Sequence, residues 1–268
     1  MIDWHQAVLL ALIQGLTEFL PISSSAHLVI PPLVLGWQDQ GLAFDVAVHV
    51  GTLAAVLLYY RADLTRMAGD WLQSLAGGGD TEHSRLVWYL AFATVPAGLV
   101  GLLAGGWIEA NLRTLPVIAA TTGIFGLLLG AADRRAANRE HSRRLSLSCA
   151  MMIGLAQAVA PIPGVSRSGV TITAGLLLGM ARQDAARFSF LLSIPIIASA
   201  GVLKGFELVA SGEPVDWFII LLGMVLSALT AYMCIGLFLR FLDRVGLMPF
   251  VWYRIVLAGV LLVLWFVS

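Results

Sequence analysis

Charge is what this sequence has least of. Only 12% of its 268 residues are Asp, Glu, Lys or Arg, and lysine occurs once, at Lys204. The 16 basic and 16 acidic residues cancel, which argues against a nucleic-acid partner. Cysteine is scarce too. Cys149 and Cys234 both lie in apolar segments without metal-ligand spacing, so neither a disulfide framework nor a zinc site is indicated and both read as packing residues. The first residues have no basic n-region and no A-x-A cleavage site, so no cleaved signal peptide is expected. What remains is apolar: 59% hydrophobic residues and a mean hydropathy of +0.88, more apolar surface than a water-soluble globule can hide. The chain reads as an all-α polytopic membrane protein, a single membrane domain over residues 1–268.

Six apolar runs are long enough to cross about 30 Å of hydrocarbon: roughly 42–60, 86–105, 115–132, 188–206, 217–239 and 250–267. Two further apolar regions are interrupted. Residues 5–36 break at Pro21 to Ser25 and residues 146–180 break at Pro161 to Ser168, leaving halves too short to span alone. Helix, loop and helix returning to the same side, a re-entrant hairpin, is the simplest reading. The two interruptions also resemble each other: in a shift of 143 positions Gln14 falls on Gln157, Ser23 on Ser166 and Ser25 on Ser168. This predicts a duplicated unit, repeat one about 1–135 and repeat two about 146–268. Each would hold one hairpin and three spans, and because three is odd the second unit is expected upside down, an inverted-topology repeat.

Basic residues set an expected orientation. Arg61, Arg66, Arg85, Arg134, Arg135, Arg139, Arg143, Arg144, Arg182, Arg187, Arg240, Arg244 and Arg254 fall in loops on one side, Arg113 and Lys204 on the other. The positive-inside rule makes the first side cytoplasmic. Both termini are then expected outside, with the serine hairpin opening outward and the Arg167 hairpin inward. The basic 134–144 stretch reads as a topology determinant, His5, His83 and His141 fall near interfaces or loops, and His49, inside a span, reads as a packing histidine.

Hydrocarbon tolerates broken helix and free charge only where they are wrapped in protein around a polar space, so the two interruptions mark the working site. Ser23, Ser24 and Ser25 precede one apolar helix, and Ser166 and Ser168 another. Helix N-termini offer free N–H groups and the positive end of the dipole to phosphate. Arg167 adds a planar, permanently charged fork. Glu18 lies four residues after Gln14, on one helix face, and His27 three residues after Ser24. A carboxylate, a hydroxyl, an imidazole and an arginine are the parts of phosphoryl transfer. Plainer readings stand beside this one: serines are common N-caps, Glu18 and Arg167 make a buried ion pair in their own right, and Thr171 back-bonds its own helix. A lipid flippase or other transporter built on an inverted repeat would share the architecture, although the other spans lack the charged relays of an ion-coupled carrier.

The phrases Gln14-Gly15-Leu16-Thr17-Glu18-Phe19-Leu20-Pro21, Ser23-Ser24 and His27, with Pro163-Gly164-Val165-Ser166-Arg167-Ser168-Gly169 and Thr171, resemble the signature pair of the bacterial undecaprenyl-diphosphate phosphatases, the bacitracin-resistance membrane family. Phe188 to Pro195 and Pro249 to Arg254 extend the resemblance along the chain. It implies removal of the terminal phosphate of undecaprenyl diphosphate, which recycles the lipid carrier for peptidoglycan. It also implies essential roles for Glu18, Ser24, His27 and Arg167, with Ser23, Ser25, Ser166, Ser168 and Thr171 around the phosphate. A divalent cation, Mg²⁺ or Ca²⁺, held by Glu18 is expected on the same ground, as is dimerisation. Where many members carry a first glutamate this chain has Gln14, which points to a supporting role. The expected chemistry is attack by Ser24 on the terminal phosphorus with His27 taking the proton; attack by water or by His27 itself stays open.

Overall fold

The computed structural model describes residues 2–38, 40–137, 143–212 and 215–267; Arg139 and His141 lie outside them. These residues form helices throughout, with no strand among them. Six are long and apolar enough to cross a membrane: α4 (Gly41–Tyr59), α6 (Glu82–Leu112), α7 (Leu115–Ala137), α10 (Arg182–Ser211), α11 (Trp217–Val245) and α12 (Met248–Val267). Each contains one of the expected apolar runs almost entirely. Both interrupted regions are short pieces: α1 (Trp4–Thr17), α2 (Ser24–Leu28) and α3 (Ile30–Leu35) in the first, α8 (Leu147–Gln157) and α9 (Arg167–Leu177) in the second. At 1.5 Å per residue the 14 residues of α1 cover about 21 Å, short of the hydrocarbon thickness.

One helix was not foreseen. α5 (Arg61–Leu75) lies where the sequence reading placed a connecting loop. It is amphipathic: Met67 is buried while Leu72 and Leu75 are exposed. Asp63 pairs with Arg187 on α10 at 2.7 Å, and Asp70 accepts hydrogen bonds from Thr81 and His83 at the start of α6. The Thr81 hydroxyl, and then His83, hold the Asp70 carboxyl below its usual range.

Close helix contact at small residues holds the bundle together, as expected where lipid supplies no hydrophobic drive between helices. α1 and α4 pack against the same stretch of α11. At Gly15 a β-carbon would sit 2.7 Å from the Ser227 carbonyl oxygen and from the Thr230 side chain. Gly51 meets the Met224 carbonyl in the same way, and the Ser227 hydroxyl crosses to the Val48 carbonyl at 3.0 Å. Phe19, just after α1, packs edge-on against Phe190 of α10, which in turn meets Phe238 of α11. The first interrupted segment is thereby seated in the core. Gly15→Leu should force α1 off α11 and lower the thermal midpoint by the equivalent of about 1–3 kcal/mol, measurable by following unfolding in detergent; an unchanged midpoint would contradict this packing.

One expectation needs correction. Arg254 was counted with the loop cations, but it lies in the second turn of α12 with no exposed surface. The neighbouring Gly126 of α7 is what gives it room, for a β-carbon there would stand 3.0 Å from the Arg254 side chain. Asp133 of α7, 2% exposed, receives Arg182 at 2.6 Å, a single ion pair and not a relay.

Candidate active site

Both interruptions are built in the same way. Each short helix starts after a serine in the left-handed region, Ser23 with φ 73° and ψ 99° and Ser166 with φ 70° and ψ 109°. A non-glycine residue there costs about 1–3 kcal/mol and persists only where surroundings impose it. Each serine caps the helix it begins, through Ala26 N–H to Ser23 Oγ and Gly169 N–H to Ser166 Oγ. Each also meets a second serine hydroxyl two positions on, Ser25 at 3.1 Å and Ser168 at 3.2 Å.

The loops then cross and brace one another. Gly164 N–H donates to Ser25 Oγ at 3.1 Å, while the Ser168 hydroxyl donates to the Leu20 carbonyl at 2.9 Å. From α7, Thr121 and Thr122 donate to the Pro163 and Gly164 carbonyls. Arg254 lies against both loops, donating to Pro21 O at 3.2 Å and to Gly164 O, Val165 O and Thr122 O at 3.0 Å each.

At the crossing the chemistry-bearing residues gather. Glu18, 9% exposed, accepts at Oε1 from Arg167 at 2.9 Å and at Oε2 from Ser24 Oγ and Gln14 Nε2, both at 3.0 Å. Arg167 also donates to the Ser189 carbonyl and stands 5.7 Å from the Phe19 ring centroid. With five N–H groups, it keeps donors for an anion. His49, read as a packing residue, faces this cluster instead: its Nε2 lies 3.9 Å from Glu18 Oε2, and its Nδ1 engages the Asp45 carbonyl. Nothing in its local sequence separates this position from its apolar neighbours.

His27 sits at the edge of the group. Its Nδ1 meets the Ser23 carbonyl at 2.7 Å and its Nε2 meets Tyr253 Oη at 2.6 Å, the two rings lying parallel. Both nitrogens are engaged, and the Ser24 proton points to Glu18. Of the remaining expected phosphate ligands, Ser25 is exposed, while the Ser166, Ser168 and Thr171 hydroxyls are buried and committed within the protein; Thr171 donates to the Arg167 carbonyl at 2.8 Å. Tyr253 and Arg254, the two contributions of α12, were not singled out as site residues from sequence.

A cavity of about 480 Å³ is lined by Ser24, Ser25, Pro161, Pro163 and His49, and also by Arg113 and Lys204 together with Asp45, Glu109 and Glu207. A larger one, about 620 Å³, lies near Arg85, at the other end of α6, and touches none of these residues. Among the described residues no three His, Cys, Asp or Glu side chains cluster to hold a metal alone. The oxygens present do suit a hard cation completed by phosphate oxygens: the Glu18 carboxylate, and Gln14 Oε1, which is buried without a hydrogen-bond partner.

Two serine loops braced across each other inside an apolar helix bundle meet a specific comparison. The model of the bacitracin resistance protein BacA matches residues 7–260. The chain belongs to the BacA family. Among its relatives are the undecaprenyl-diphosphatases of Teredinibacter turnerae, 59% identical over 97% of this chain and 98% of the relative, of Hahella chejuensis, 55% identical over 99% of each, and of Colwellia psychrerythraea, 56% identical over 98% of each. Family members thus share the whole length of this bundle, both loops included.

The Glu18–Arg167 pair is 8% and 11% exposed at its side chains. Breaking such a pair leaves one buried charge uncompensated and costs about 3–5 kcal/mol. Arg167→Ala should therefore lower the unfolding midpoint, and adding Glu18→Gln to it should recover part of the loss. A double variant no more stable than Arg167→Ala would show that the two groups are not coupled.

Proposed function

We propose that the crossed loops hold the diphosphate end of a polyprenyl lipid and transfer its terminal phosphate through Ser24. The protein is an undecaprenyl-diphosphate phosphatase of the membrane: it hydrolyses undecaprenyl diphosphate to undecaprenyl phosphate and inorganic phosphate, the activity for which its relatives are named. Recycling of the carrier for peptidoglycan and bacitracin resistance follow from that reaction. The transporter alternative has no counterpart in those names.

The observation that carries the site assignment is the chain Arg167, Glu18, Ser24, with both links near 3 Å. Ser24 Oγ attacks the terminal phosphorus as its proton passes to Glu18 Oε2; the P–O bond to the bridging oxygen breaks and undecaprenyl phosphate leaves. Water then attacks the phosphoserine, phosphate departs and Ser24 regains a proton. Arg167 turns its remaining N–H groups to the equatorial oxygens, where charge accumulates, assisted by the N-terminus of α9. What supports Glu18 rather than His27 as proton acceptor is that both His27 nitrogens are occupied. His27 holds the first loop to α12. A divalent cation bound by Glu18 and Gln14 Oε1 would neutralise phosphate charge.

The cavity supports an outward opening: it leads from Ser24 to Arg113 and Lys204, on the side poor in basic residues. The likeness of the two loops supports an inverted duplication.

Phosphate release from a polyprenyl diphosphate should fall by at least about 10²-fold in Ser24→Ala and in Glu18→Gln, since each removes the nucleophile or its proton acceptor, and chelation by EDTA should lower the wild-type rate. Acid quench of labelled substrate should trap acid-stable phosphoserine; full activity in Ser24→Ala would move the attack to water or to His27. For sidedness, Ser25→Cys in intact cells should react with a membrane-impermeant maleimide added outside, and reaction only in inverted vesicles would reverse the orientation.

A further inference from the structure

Arg254 donates to four backbone carbonyls, of Pro21, Thr122, Gly164 and Val165, and to no carboxylate that the described residues provide. It is fully buried. Tying loops together by itself does not require a charge, for neutral threonines of α7 do the same to Pro163 and Gly164. A permanent cation at membrane depth without an anionic partner is costly. Its place relative to the reaction accounts for it. Pro21 stands two residues before Ser23, and Val165 immediately before Ser166, so the carbonyls it grips lead into the two serines at positive φ. A β-carbon at Gly169, in the first turn of α9, would lie 2.9 Å from Arg254 Nη1 and 3.1 Å from Ser166 Oγ, so the guanidinium lies directly against the first turn of α9, which Ser166 caps. Glu18 and Arg167 cancel each other. Among the side-chain charges at the crossing, that of Arg254 is left over.

We propose that Arg254 is a positioning residue of the phosphatase reaction, supplying from beneath the loops the uncancelled positive charge that draws the diphosphate in while its fork fixes the serine turns. The proposal rests on the phosphatase reading. It separates two contributions, charge and fork, which two variants separate in turn. Arg254→Lys keeps the charge but cannot span four carbonyls; Arg254→Met keeps bulk and loses the charge. Purified wild type and both variants would be assayed for turnover of a polyprenyl diphosphate, for competitive inhibition by inorganic phosphate, and for thermal unfolding.

Arg254→Met should raise both KM and the inhibition constant for phosphate by about tenfold or more, equivalent to ~1.4 kcal/mol of anion binding. Arg254→Lys should leave the phosphate constant within about threefold of wild type while kcat falls, because the turns loosen but the charge stays. A folded Arg254→Met with unchanged KM and phosphate inhibition, its activity lost only in proportion to lost folded protein, would reduce Arg254 to a rivet and overturn the proposal. Should Arg254→Met fail to fold, Arg254→Lys decides alone: a tenfold weaker phosphate constant despite retained charge overturns it, and unchanged inhibition with lowered kcat supports it. Wild type that hydrolyses nothing would remove the phosphatase reading itself, an outcome distinct from all of these because the others presuppose wild-type turnover.

Discussion

A helix broken inside hydrocarbon exposes peptide groups that water cannot reach, and the rest of this structure follows from satisfying them. In the two short segments that task falls to side chains of other helices. Threonines of α7 and Arg254 of α12 take carbonyls, and serines of each loop take groups of the other. Each bond is worth about 1 kcal/mol net, yet a missing partner in this medium costs more than the bond contributes. The crossing is therefore fixed as a set, and two serines can be held at backbone angles they would not adopt alone.

That same arrangement makes the chemistry available. Loops that spend their serine hydroxyls on each other leave Ser24, whose neighbour is a carboxylate, as the hydroxyl with a base at hand. The ion pair of Glu18 and Arg167 joins the loops and also orients both groups, so the reading of the pair as structural and the reading of it as functional describe one contact. Under the proposed function, binding would draw on the same interactions as folding, and a substitution in the cluster would rarely touch one without the other.

Much of this was legible in the letters. Long apolar runs give spans because only a continuous helix satisfies its own backbone in lipid, and α4, α10 and α12 fall where hydropathy puts them. Proline and serine in mid-run marked both breaks, and the residue types there pointed to Glu18, Arg167 and a serine hydroxyl before any coordinates, with Ser24 itself singled out by the family resemblance. What stayed hidden depends on the third dimension. Arg254 near the start of a span carries the same letters as a loop arginine, and only packing beside Gly126 tells that it turns inward. His49 differs from an ordinary packing histidine by its distance to a residue 31 positions away, read from the numbering. α5 escaped notice because its apolar stripe is too short and too interrupted by charge to register as a span.

Order along the chain matters in a way that geometry at equilibrium conceals. Ribosomes deliver this protein from its amino end, and the helix bearing Tyr253 and Arg254 comes after both loops. Until α12 is inserted, the Pro21 and Val165 carbonyls lack Arg254, and the nascent bundle waits with its centre unsealed. Completion of the crossing thus waits on a helix made after both loops: a chain that stops short of α12 keeps its other spans but carries an open, polar wound at its middle.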